Sequence, residues 1–216
     1  MRFGIVVGVL LWGSINMAMG EPVGKPVDVA KFDIVGARLY MSSQEVIAAL
    51  KSKFGPLLNV GGYWRDMCAS SKSVICVQVA DGRLHAGGKY ADLISFQNDA
   101  GRYVFYFVET EDKPDGLYMI TYAPAAMQTQ ADIEQFHRTA IDKYGPPTWP
   151  DLSKWGVSQW CGPEIVKPEA GALKCDGSKV PDLTMDYKEL KLQDSSYMLR
   201  MRNLVEKLTT QKKPIL

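Results

Sequence analysis

Four cysteines, two histidines and one acidic cluster are the residues of this chain whose types and spacing invite a chemical reading. Cys68, Cys76, Cys161 and Cys175 are an even set. With seven residues between the first two and thirteen between the last two, neither spacing matches the Cys-x-x-Cys of a zinc knuckle. No metal is expected, and two disulfides are. Three pairings exist, and the local ones, Cys68 with Cys76 and Cys161 with Cys175, are favoured because each flanks turn-prone sequence. Ala69 to Ser73 lies inside the first pair, and Gly162-Pro163, Pro168 and Gly171 inside the second. Each bridge closes a short loop and contributes roughly 2.5 to 3 kcal/mol in the chain-entropy model.

Catalytic patterns are sparse. There is no Gly-x-Ser-x-Gly elbow, no His-Glu-x-x-His helix and no Ser-x-x-Lys. His137 falls on the apolar face of a helical segment between Ile133 and Tyr144, where a satisfied core residue is expected. His85 sits in a stretch with Gly82, Gly87 and Gly88 and has no partner legible in the sequence. Those glycines form neither Gly-x-Gly-x-x-Gly nor a Walker loop, so no nucleotide or other cofactor is expected. The acidic stretch Glu109 to Asp115 lacks the alternating oxygen ligands of a calcium loop and reads as a solvated hairpin turn. A carboxylate pair converging from distant strands would leave no mark in the sequence, which keeps a hydrolase of wall, glycan or peptide material as the alternative function.

Aromatic residues offer a different chemistry, that of binding. Tyr63 and Trp64 follow the first helical segment, while Tyr118 and Tyr122 are placed on one face of a strand. These four are the binding candidates, because aromatic residues dominate interface hot spots. In the neighbouring strand Tyr103, Phe105 and Phe107 alternate with Val104, Tyr106 and Val108, so both of its faces are apolar. A small-ligand or glycan binder using these aromatic strands is a further alternative.

The elements that position these residues are legible in outline. Residues 21–30, with Pro22, Gly24 and Pro26, read as an extended lead-in, and 32–39 as a strand. Ser42 and Glu45 form a capping box for a helix that carries Val46, Ile47, Leu50 and Phe54 and stops at Gly55-Pro56. Strands follow over 57–64, 74–79, 92–97, 102–110 and 117–122, with 81–90 as a loop and the last three strands as an antiparallel meander. A second helix runs from Thr129 to Tyr144 with Ile133, Phe136, Ala140, Ile141 and Tyr144 inward, and ends at Gly145-Pro146-Pro147. A strand over 183–192 and a terminal helix carrying Tyr197, Met201, Leu204, Val205 and Leu208 complete the chain. The expected class is α+β, an antiparallel sheet with two or three helices packed on one face. Residues 31–216 form one domain or two tandem modules, 31–125 and 126–216.

Residues 1–20 carry Arg2, the apolar run Phe3 to Trp12, and Ala18 and Gly20 before Glu21. That is the pattern of a signal peptide cleaved after Gly20, and the run is too short to span a bilayer. The first cysteine is Cys68, so no lipid anchor at a new N-terminus and no membrane anchor are expected. Removing residues 1–20 takes Arg2 and no acid, leaving 24 basic and 24 acidic residues. A neutral chain argues against nucleic acid as a partner. The expected address is the periplasm or the extracellular medium.

The segment Gly36-Ala37-Arg38-Leu39-Tyr40-Met41-Ser42, with Leu50 and Phe54-Gly55-Pro56 after it, resembles a Gly-x-x-Leu-Gly-Met-Ser/Thr motif of small exported bacterial proteins. It is similar to the BamE-type outer-membrane-assembly lipoproteins and to relatives of the β-lactamase inhibitory protein. The resemblance covers about twenty-five residues, and Tyr40 stands where the motif carries glycine. It implies a helix-on-antiparallel-sheet module and a non-catalytic, protein-binding role, and it carries over no binding residue. A protein partner of unknown identity is the expectation.

Overall fold

In the structure, a computed structural model that describes residues 25–55, 58–61, 74–85, 87–125, 127, 129–149, 157–162, 165–166, 174–175 and 180–211, Ser42 opens the first helix as its sequence demands. In helix α1 (Ser43–Phe54) the Glu45 amide donates to Ser42 Oγ at 3.3 Å. The Ser42 amide in turn donates to the Glu45 carboxylate at 2.7 Å. Val46 and Leu50 are fully buried, and the helix ends at Gly55 with φ 84°. Thr129 and Asp132 build the same reciprocal cap for α2 (Gln130–Tyr144), which ends at Gly145 with φ 79°.

The strands are β1 (Leu58–Gly61), β2 (Val74–Asp81), β3 (Lys89–Asn98), β4 (Gly101–Val108), β5 (Gly116–Pro124), β6 (Ser158–Cys161), β7 (Ile165–Val166), β8 (Lys174–Cys175), β9 (Asp182–Met185) and β10 (Leu190–Gln193). Helix α3 (Ser195–Gln211) follows. Eight strands form one sheet in the order β1-β2-β3-β4-β5-β10-β9-β6, and β7 pairs with β8 apart from it. β1 lies parallel to β2, and the seven strands from β2 to β6 are antiparallel. The fold is α+β.

Register places the core on one face of this sheet. One cross-strand row runs Phe96, Tyr103, Tyr122, Leu190 and Met185, and the next runs Ile94, Phe105, Ile120, Leu192, Leu183 and Trp160. All but Tyr122 are buried. Helices α1 and α2 cover these rows. Phe54 meets Phe96 at 4.8 Å between ring centroids, Phe136 meets Tyr122 at 6.0 Å, and Tyr144 meets Trp160 at 6.2 Å. Truncating one of the fully buried rings, Phe105 or Trp160, would cost about 3–5 kcal/mol.

The start of β5 is the anchor for two further segments. The Tyr40 amide donates to the Leu117 carbonyl at 2.7 Å, and the Leu117 amide donates to the Met41 carbonyl at 2.9 Å. A Cβ on Gly116 would sit 2.6 Å from the Tyr197 hydroxyl, so glycine is what allows α3 to approach here. Asp194, 1% exposed, is the hub: its carboxylate accepts from the Tyr40 hydroxyl at 2.7 Å, from Ser196 Oγ at 2.5 Å and from the Tyr197 amide at 3.2 Å. Tyr40 itself adopts φ 70°. This is the left-handed conformation that glycine adopts freely, and Tyr40 is held in it by the bonds at both of its ends.

Several expected elements take a different form. Residues 32–39 are no strand: Ile34 and Ala37 bond to each other across a turn in which Val35 and Gly36 have φ 52° and 86°. The lead-in contains a 3-10 turn at Val29–Lys31 rather than only extended chain. The single strand over 183–192 is a hairpin, because Asp186 accepts the amides of Lys188 and Glu189 at 2.7 and 2.8 Å and turns the chain. Ile141 is 40% exposed instead of inward, and His137 is half-buried rather than core. The acidic stretch is a hairpin turn with an exposed tip at Glu111 and Asp112, but its two ends are not solvated. Glu109 and Asp115 are buried, Asp115 accepting the Ser43 amide at 3.0 Å at the head of α1.

Candidate functional site

Two β-bulges lie side by side on the sheet face opposite α1 and α2. Between β2 and β3, Gln78 pairs with Leu93 and Val79 with Ala91, which leaves Asp92 unpaired. Between β4 and β5, Tyr106 pairs with Met119 and Phe107 with Leu117, which leaves Tyr118 unpaired. A bulge slips the side-chain alternation by one residue and re-aims the extra side chain. Leu93 pairs with Tyr106, so the two bulges flank a single cross-strand row. The rings of Tyr106 and Tyr118 are 6.5 Å apart at an interplanar angle of 55°, and Gln78 Nε2 donates to Asp92 Oδ2 at 3.1 Å.

The electrostatics join these groups to Tyr90. The Tyr118 hydroxyl is held above its ordinary pKa by burial first and then by Asp92, Tyr106 and Tyr90. Tyr90 is raised by burial and by Asp92 and Glu109, with Arg83 acting in the opposite sense. Both phenols therefore stay protonated at neutral pH. Tyr90, Asp92, Tyr106 and Tyr118 are all partly exposed.

A second feature lies between α1 and α2. A groove of about 370 Å³, open to solvent, is floored by Tyr103, Tyr122 and Leu190 and walled by Val35, Phe136 and Ala140, with Lys53 and Lys143 at its rim. Tyr103 and Tyr122 stack at 4.5 Å, and Lys143 is held by the carboxylate of Asp33 at 3.1 Å.

Two of the buried carboxyls, Glu109 and Asp182, carry shifted titrations outside the groove. Glu109 accepts the amides of Arg83 at 2.5 Å and His85 at 2.7 Å, pinning the loop between β2 and β3. Burial opposes its charge, but the amides of Leu84, His85 and Arg83 together outweigh burial and lower its pKa. His85 also finds a partner, its Nε2 lying 2.8 Å from the Thr110 carbonyl. Asp182, 4% exposed, is pushed up to about 6 chiefly by burial, against the opposing pull of Gln193 and Lys191.

The four aromatic candidates are not brought together. Tyr118 joins the bulge cluster, whereas Tyr122 lies on the helix-covered face and lines the groove. Their expected common face is lost to the bulge between them. Tyr63, Trp64 and Cys68 lie outside the described residues. Cys161 and Cys175 are bonded, with Cα atoms 5.4 Å apart, and Cys76 is disulfide-bonded as well. Such bridges persist in an oxidising compartment. Among the described residues no cluster of three or more potential ligands could hold a metal, and no helix is long and apolar enough to cross a membrane.

Sequence reasoning missed Tyr90, Asp92 and Tyr106 as site residues. A signal was present: buried Ala91 and Ile94 are three apart, as are buried Leu117 and Ile120. A strand of period two cannot place both members of such a pair on one face without a slip between them. No family model, no curated protein and no solved structure matches this chain.

Proposed function

We propose that this chain is an exported, non-enzymatic protein that binds another protein through the sheet face opposite α1 and α2. The observation that carries this reading is the paired bulge, which sets Tyr106 and Tyr118 beside Asp92 on a partly exposed surface. Tyrosine supplies large contact area with a polar tip, the profile of an interface hot spot. The similarity of the segment from Gly36 to Pro56 to exported, protein-binding families supports the same reading. Export rests on residues 1–20, and cleavage after Gly20 is tested by N-terminal sequencing of the protein recovered outside the cytoplasm. A chain that still begins at Met1 refutes it.

Binding is tested by placing a photo-cross-linking phenylalanine analogue at position 118 and irradiating the native envelope fraction. The reading expects one discrete cross-linked protein, lost when the analogue is moved to exposed Glu134 on α2. It also expects Tyr118→Ala to melt near the parent, since the side chain is only partly buried. An empty cross-linking lane at position 118 sinks it.

The groove favours a second reading, a binder of small apolar ligands, because its volume falls within the range of ligand sites. Saturable fluorescence of a naphthyl dye that Thr139→Trp abolishes would support that reading, and a response unchanged by the substitution would remove it.

A further inference from the structure

We infer that the tyrosine cluster recognises an organic cation, and that its occupant is a lysine or arginine side chain presented by the partner protein. This rests on the protein-binding reading and adds the chemistry of the contact.

Three aromatic rings and one carboxylate are the components with which proteins hold ammonium and guanidinium groups. The ring faces attract a cation through their quadrupoles, and a carboxylate beside them supplies a full opposite charge. Tyr106 and Tyr118, tilted by 55° with centroids 6.5 Å apart, are two walls inclined to one another rather than a stacked pair. Tilted rings leave their faces available, whereas Tyr103 and Tyr122 on the other side of the sheet, 14° from parallel, use theirs on each other.

The local charge is also of the right sign. Asp92, Tyr106 and Tyr90 bear on the Tyr118 hydroxyl, and Asp92 is the ionic group of the three. Around Tyr90, two carboxylates, Asp92 and Glu109, oppose the one guanidinium of Arg83. Glu109 is occupied by loop amides, and one oxygen of Asp92 accepts from Gln78. A carboxylate has about four acceptor positions, so Asp92 keeps capacity for a cation after this single bond. Gln78 fixes the carboxylate in place without neutralising it.

The bulges supply a reason for the arrangement. In a regular ladder Asp92 and Tyr118 would turn to the helix-covered face, where an unpaired carboxylate is costly. Two slips at neighbouring positions keep the apolar rows intact and gather the polar-tipped residues on the other side.

The test uses the full chain with ¹³C-labelled tyrosine rings and two probes, N-acetyl-lysine methylamide and its neutral isostere N-acetyl-norleucine methylamide. The lysine probe is expected to shift the Tyr106 and Tyr118 ring signals saturably, and the norleucine probe is not. Asp92→Asn, which keeps shape and the Gln78 contact, is expected to weaken lysine binding by about tenfold. Tyr118→Leu is expected to lose binding, its melt confirming the fold. Equal response to both probes, an unchanged affinity in Asp92→Asn, or no saturable shift overturns the assignment.

The two readings separate in a final arm that adds the lysine probe during photo-cross-linking at position 118. A captured partner that the probe neither displaces nor mimics overturns the cation assignment and leaves protein binding standing. Ring shifts without any captured partner support a cation site and overturn both the protein-binding reading and the partner side chain as its occupant. Displacement of the partner by the lysine probe alone supports both.

Discussion

Replacing Asp194 by alanine tests whether one buried carboxylate joins the turn before α1, the start of β5 and the head of α3. The side chain is 1% exposed and accepts three hydrogen bonds, from the Tyr40 hydroxyl, Ser196 Oγ and the Tyr197 amide. Hydrogen bonds to a charged group contribute about 1.5–3 kcal/mol each, and losing an N-cap costs about 1 kcal/mol. Arg200 adds little, since it stands 3.7 Å away with a side chain 68% exposed. Because the bonds form one network they do not sum, and about 3–5 kcal/mol is expected for the whole. For a domain of this size that is a fall in melting temperature of about 10 °C. Tyr40→Phe removes a single donor and is expected to cost about 2 kcal/mol. Thermal and urea unfolding of parent, both single variants and the double variant form a cycle that isolates the pair. Costs of the two substitutions that simply add, or an alanine variant that melts within a degree of the parent, would refute the hub.

Three further outcomes are expected. Glu109→Gln should destabilise the fold by about 2–4 kcal/mol at neutral pH, because an amide cannot accept from several backbone N–H groups as a carboxylate does. Its folded pKa is lowered, so its contribution is present above the unfolded carboxylate range and disappears as pH falls through the folded value; parent and variant melts should converge in acid. Asp182 behaves in the opposite sense. Its folded pKa of about 6 exceeds the ordinary aspartate value of about 3.9, so the fold loses stability as pH rises between them, on the order of 2–3 kcal/mol. Asp182→Asn should therefore raise the melting temperature at pH 8 and leave it unchanged near pH 3, and equal gains at both would argue against a charged buried group. Opening the loop of Cys161 and Cys175, fourteen residues apart, by the double serine variant should cost about 3 kcal/mol in urea unfolding.

Local chemistry determined the parts that the sequence displays by itself. Ser42 with Glu45 and Gly55 bound α1, Thr129 and Gly145 bound α2, and the turn residues Asn98 to Gly101 join β3 to β4, because each of these acts within three or four positions of its own backbone. The alternation of Tyr103, Phe105 and Phe107 likewise placed these three on one face of β4, which has no extra residue, while the apolar residues on both faces left open which of the two the helices cover. Where a partner lay far along the chain, only the tertiary structure could decide. Tyr40 in a left-handed conformation is intelligible only beside Asp194, 154 positions away. Burial of Glu109 depends on loop amides 24 and 26 positions earlier. Tyr118 and Tyr122, an even number of positions apart, were separated onto opposite faces by pairing with β4, and Asp92 reached Tyr118 by the same kind of slip. A bulge is a property of two strands in register, and a single strand's sequence contains only one half of it.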